Sequence, residues 1–138
     1  MRGSVLKEQQ SHKGMEIVKA KDDAFNRKIL EHKKNIVLLS PEIGIERNDK
    51  LKQLDSGLNH VLARIATKNN NRIGIDVREI RNMKKKEKAE QLARIRQNIK
   101  ICRKEKTKFL CYSVTNKGNA RSLLLTLGAS TEQTVHVM

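Results

Sequence analysis

The segment NIVLLS, Asn35 to Ser40, constrains the fold more than any other part of the chain. It lies between a lysine pair and Pro41 and is apolar at consecutive positions. It therefore has no polar face to turn toward water, and reads as a strand of a parallel sheet covered on both sides. Parallel neighbours cannot be joined by a tight turn; each pair needs a crossover, ordinarily a helix, and the crossover is right-handed.

The remaining segments supply such crossovers in order. Glu16 to Ala20 is a short strand, and Asp22 and Asp23 open a helix that carries Phe25, Ile29 and Leu30 and runs out near Lys33. After NIVLLS a polar loop, Glu42 to Leu54, leads to a helix on which Leu58, Val61, Leu62 and Ile65 follow the i, i+3, i+4, i+7 spacing, with Ser56 as its expected cap. Asn69 to Asn71 turns the chain into RIGIDV, Arg72 to Val77, the next strand. A long helix from about Lys86 to Lys106 places Ala89, Leu92, Ile95, Ile99 and Cys102 along one side, and KFLCYS, Lys108 to Ser113, is a further strand. RSLLLTLG, Arg121 to Gly128, is a helix closed by its glycine, and Ser130 and Gln133 suit one more capped turn. Strand and helix alternating at this spacing give the α/β class. With 138 residues the chain reads as one βα domain over 16–138, preceded by a tail or residual helix over 1–15.

Charge narrows the function. Thirty Lys and Arg against 15 Asp and Glu give +15, which repels itself unless a polyanion neutralises it, so nucleic acid is the leading partner. No segment is long and apolar enough to span a bilayer and the start has no apolar leader core, so a soluble, cytoplasmic protein with no membrane partner is expected. Aromatic residues are only 2%, too few for base-stacking platforms, which favours folded RNA held through phosphates and sugars. The excess is local: Arg78 to Lys108 holds 13 Lys and Arg against 4 Glu, or +9 of the +15. Arg96, Lys100 and Lys104, four apart on the long helix and with Arg103 nearby, form a ridge suited to phosphates. His60, in the first turn of its helix and opposite Leu58 and Ile65, is expected to be exposed. Arg78, just past RIGID, and Asn116 and Lys117, beyond LCYS, are expected on the same rim of strand ends, where ligands commonly bind. A surface histidine without a role is an equal reading of His60.

Catalytic patterns are poor. His12, His32, His60 and His136 fall in unrelated places without HxH or HExxH spacing, and GxGxxG, GxxxxGK[ST] and GxSxG do not occur. Asp76 is one carboxylate near a rim. Cys102 and Cys111 form no CxxC pattern and are expected to be buried free thiols. No metal or cofactor bound by the protein and no catalytic residue are expected.

DAFNRKILEHKKNIVLLSPEIG, DSGLNHVLARIATKNNNRIGIDVREI and LARIRQNIKICRKEKTKF, in this order and spacing, resemble archaeal ribonuclease P protein component 3, related to the eukaryotic ribonuclease P and MRP subunit. The resemblance runs from about Glu16 to Gly128. It implies TIM-barrel-like (PHP-like) βα repeats and an RNA-bound, non-catalytic subunit of the machine that removes the 5′ leader from precursor tRNA. In that machine the RNA cleaves, with its own Mg²⁺, and a second small protein subunit accompanies this one. Carried onto this chain, the family's SGLNH motif is Ser56 to His60, its strand-end arginine is Arg78, and its basic helix supplies Arg94, Arg96, Arg103 and Lys104. Family chains start with an additional strand and helix, so an incomplete barrel lacking its first βα unit is expected here. The segment after LCYS is compressed, leaving Arg121 as the counterpart of the family's arginine before the last helix. A stand-alone metal-dependent phosphohydrolase on a similar barrel, or a basic ribosomal protein, are the alternative readings.

Overall fold

The computed structural model describes residues 15–43, 54–112, 123 and 126–128. Within them are strands β1 (Glu16–Lys19), β2 (Ile36–Leu39), β3 (Arg72–Asp76) and β4 (Phe109–Tyr112), and helices α1 (Asp23–His32), α2 (His60–Lys68), α3 (Val77–Arg81) and α4 (Lys85–Glu105). The four strands form one parallel sheet in the order β1-β2-β3-β4, each pairing with its sequence neighbour. Right-handed crossovers that always advance in the same direction put every connecting helix on the same face. The side chains confirm this: Ile36, Leu38, Ile73, Ile75, Phe109 and Cys111 share one core with residues of all four helices.

The alternate strand positions point to the opposite face, where Val37 and Leu110 are buried with Met15 and pack against Ile17. Gly74 lies in register between Leu39 and Leu110, and a Cβ there would meet Val37 Cγ1 at 3.0 Å and Leu39 Cδ1 at 3.3 Å. Both faces are thus apolar, as NIVLLS requires. Among the described residues the sheet is open, with β1 and β4 at its edges.

Local chemistry sets the element ends. The Asp22 side chain accepts from Phe25 N at 2.8 Å and starts α1. The expected Ser56 cap is replaced by Asn59, whose Oδ1 accepts from Leu62 N at 2.8 Å. Gly57 takes φ +78°, which carries the buried Leu58 into the core ahead of the helix. Because Leu58 is not helical, a stripe counted from it is out of phase: Val61 is 52% exposed, and the buried side is Leu62, Ala63 and Ala66. The helix α3 was not expected. Asp76 ends the strand and accepts from the amides of Arg78 and Glu79, so Val77 opens a helix instead of extending the strand. The long helix closes on Lys106 in the left-handed conformation.

Asn71 ties three elements together. Its amide donates to Leu30 O at 3.1 Å and Lys33 O at 2.9 Å, and its Oδ1 accepts from Ile36 N at 3.1 Å. Of the expected last helix, Leu123 and Thr126 are helical, Leu127 N donates to Leu123 O, and Gly128 takes φ +102°. Of the expected tail over 1–15, Met15 is buried against the sheet, and residues 1–14, residues 44–53 of the expected loop, Ser113, Asn116, Ser130 and Gln133 lie outside the described residues.

Candidate nucleic-acid interface

The length of α4 decides where its charges go. Its 21 residues extend about 31 Å, roughly twice the span of the four- or five-residue strands it covers. The lower half is anchored: Gln97 Nε2 donates to Leu54 O at 2.7 Å and to Ser56 Oγ at 2.9 Å, and Asn98 Nδ2 donates to Ser56 O at 2.9 Å. Arg94 Nη1 donates to the carbonyl of Glu42, just past the C-terminal end of β2. The first turn of α4, before the buried Gln91, therefore overhangs the C-terminal rim of the sheet, next to α3. Exposed Arg78 and Arg81 of α3 and Lys84, Lys85 and Lys86 at the start of α4 belong to this overhang.

The carboxylates within the basic stretch do little to neutralise it. Glu79 pairs with Lys19 at 2.6 Å, and Glu105 pairs with Arg64 at 3.2 Å and with His60 Nδ1 at 3.0 Å. All three cationic or ionisable partners come from outside Arg78 to Lys108. The Arg64 hydrogen bond, supported by His60 and opposed by partial desolvation, holds the Glu105 carboxyl below its usual range. Among the described residues, no carboxylate is within ion-pair distance of Arg96, Lys100, Arg103 or Lys104.

The expected site residues separate into groups. Arg96, Lys100 and Arg103 are exposed on α4 within an arc of about 60° of the helix and line one cleft with Thr126, Leu127 and Gly128. The cleft holds about 340 Å³. Lys104 is exposed but does not line it. Arg94 is buried, 7% exposed, on the side of α4 that carries Ile95, Asn98 and Ile101. It therefore belongs to the interior and not to the ridge, although the resemblance counts it in the basic helix. His60 is 48% exposed as expected, but its imidazole meets Glu105 on the α2–α4 surface instead of joining Arg78. Arg78 is exposed at the strand-end rim. Lys117 and Arg121 lie outside the described residues.

Sequence reasoning missed the part played by Glu105, and also Gln91 and Asn98, which are buried with Arg94. The seven-residue spacing of Gln91 and Asn98 is the signal that marked one inward polar stripe. The cleft wall at Leu127 had no such signal, because it meets α4 only in three dimensions.

Reactive groups are sparse. Cys102 and Cys111 are buried free thiols, as expected, and burial raises both, pushing Cys111 up to about 12. Among the described residues no three His, Cys, Asp or Glu side chains converge as metal ligands, and no helix is long and apolar enough to cross a membrane.

A parallel sheet wound in one direction, with an overhanging helix on which Arg96, Lys100, Arg103 and Lys104 have no acidic partner among the described residues, defines a basic α/β protein. No protein-family model and no curated protein matches the chain. Among solved structures it is similar to a chain of the cryo-EM structure of archaeal ribonuclease P with mature tRNA, with 26% identity and a TM-score of 0.69. That match covers 93% of this chain and 55% of the other, so the protein spans little more than half the length of its structural neighbour.

Proposed function

We propose that this chain is a protein subunit of ribonuclease P, the component with barrel-like βα repeats, which binds the catalytic RNA and supports it in removing the 5′ leader of precursor tRNA. The likeness to a chain of archaeal ribonuclease P, over 93% of this protein, carries the reading. The SGLNH, RIGIDVR and NIKICRK segments support the finer choice of component, and the exposed cations Arg78 and Arg81 of α3 and Arg96, Lys100, Arg103 and Lys104 of α4 support contact with RNA. In this reading the direct partners are the ribonuclease P RNA and a second small protein subunit, with precursor tRNA engaged indirectly in the cytoplasm. The protein itself holds no cofactor; Mg²⁺ works with the RNA. Its task is to neutralise phosphates and fix RNA shape, through cations positioned by a rigid aliphatic frame.

Reconstitution tests this directly. The RNA and the remaining protein subunits of an archaeal ribonuclease P lacking its own component 3 are assayed on precursor tRNA at limiting Mg²⁺, with and without this chain. Restored cleavage is expected, together with none by the protein alone in metal-supplemented buffer. Turnover by the protein alone would support a phosphohydrolase, and co-sedimentation with ribosomes in place of restored cleavage would support a ribosomal role.

A further inference from the structure

We infer that the cleft between α4 and the Thr126–Gly128 turn grips one phosphate ester of the RNA backbone at a kink or bulge, whereas the lysine-rich overhang contacts RNA diffusely. This rests on the RNA-binding reading above and assigns its most specific contact.

Three observations converge on the cleft. Arg96, Lys100 and Arg103 approach it from successive turns of one rigid helix, anchored on its other side through Gln97 and Asn98. None of the three has an acidic partner among the described residues, so their mutual repulsion is relieved only when an anion enters. Two of them are arginines, whose planar forks can each take two phosphate oxygens, while the lysine adds a point charge between them.

The opposite wall selects what accompanies the phosphate. Leu127, 4% exposed, is anchored in the core and borders the cleft as its apolar side, and at Gly128 a Cβ would meet nothing within 4 Å, so the mouth there is open. At about 340 Å³ the cleft is at the small end of ligand pockets, sized for about one nucleotide unit and not for a duplex. Among the described residues its lining contains no aromatic ring, so no base is stacked there. The fitting ligand is a sugar–phosphate step that protrudes from the helical path.

The overhang differs in kind. Lys84, Lys85 and Lys86 are exposed point charges at the end of a helix and line no described cavity with the arginines. They are suited to sequence- and shape-independent attraction.

The test uses the full chain, two RNA hairpins that differ only by a single-nucleotide bulge, and adenosine 5′-monophosphate as the free ester. Binding is measured by fluorescence anisotropy at several salt concentrations. Arg96→Lys with Arg103→Lys keeps the charge and removes the forks. This double variant is expected to weaken bulged-hairpin binding by about tenfold, with uninterrupted-hairpin affinity and both salt slopes unchanged. Lys84→Gln with Lys85→Gln and Lys86→Gln is expected to weaken both hairpins equally and to lower each slope by up to about 3, at about 0.9 per lost duplex contact. If the arginine double variant affects the two hairpins equally or neither of them, the cleft proposal is overturned while RNA binding stands. If wild type binds neither hairpin, the RNA-binding reading itself falls. Adenosine 5′-monophosphate displacing bulged RNA at micromolar concentration would assign the cleft to a free nucleotide and overturn the backbone assignment; failure to displace it at millimolar concentration is the expected result.

Discussion

Glu105 is the residue on which two helices meet at the surface, since Arg64 and His60 of α2 both reach it from across the α2–α4 contact. Because its folded-state carboxyl is held below the ordinary range, the folded protein binds this proton less tightly than the unfolded chain does. The resulting stability is complete above the unfolded value, about 4.3, and disappears as pH falls through the depressed one. Glu105→Gln should therefore melt lower than wild type at pH 7, with the two melting points converging below about pH 4. A constant gap across that range in pH-dependent thermal melts would contradict the assigned bonding. Asn71 carries a larger load in the interior. Replacing it by Ala leaves the Ile36 amide and the Leu30 and Lys33 carbonyls short of a bond, and an expected loss of about 3 kcal/mol follows from the unmet buried groups. Urea unfolding measures it, and a loss below about 1 kcal/mol would mean that solvent replaces those bonds.

At the scale of elements, α2 offers a direct check on phase. Leu62→Ala is expected to destabilise by about 2–5 kcal/mol. Val61→Ala, one residue away at a 52% exposed position, is expected to change stability by less than about 0.5 kcal/mol. Denaturant midpoints of the two variants decide between the observed stripe and the one counted from Leu58. The strands and long helices were legible because NIVLLS, RIGID and the Ile95–Ile99–Cys102 spacing carry the period of their own element. Short devices were not. Five residues are too few for α3 to show a period, and the cap at Asn59 depends on the left-handed Gly57 before it. Arg94 enters the candidate set only as a counterpart of the family's basic helix, and the phase of α4 puts it inward beside Asn98. The candidate site was legible only as charge. Arg96, Lys100 and Arg103 could be grouped from spacing, but the Leu127–Gly128 wall belongs to a segment some twenty-five residues away, and its approach is a matter of packing.

For the whole molecule, the net charge of +15 means that folding gathers like charges together. Raising salt from about 10 mM to about 150 mM shortens the screening length from about 30 Å to about 8 Å, which weakens that repulsion more than it weakens the few close surface pairs. The melting temperature is therefore expected to rise with added sodium chloride at pH 7, as followed by circular dichroism; a fall would show that the surface pairs outweigh the net repulsion. The strand order has a consequence of another sort. Since β2 needs only β1, β3 only β2, and β4 only β3 as its neighbour, no gap among the four described strands waits for a later one of them. During synthesis each unit that clears the ribosome exit finds its template already assembled behind it, and the growing sheet can extend in the direction of translation, one docking event at a time.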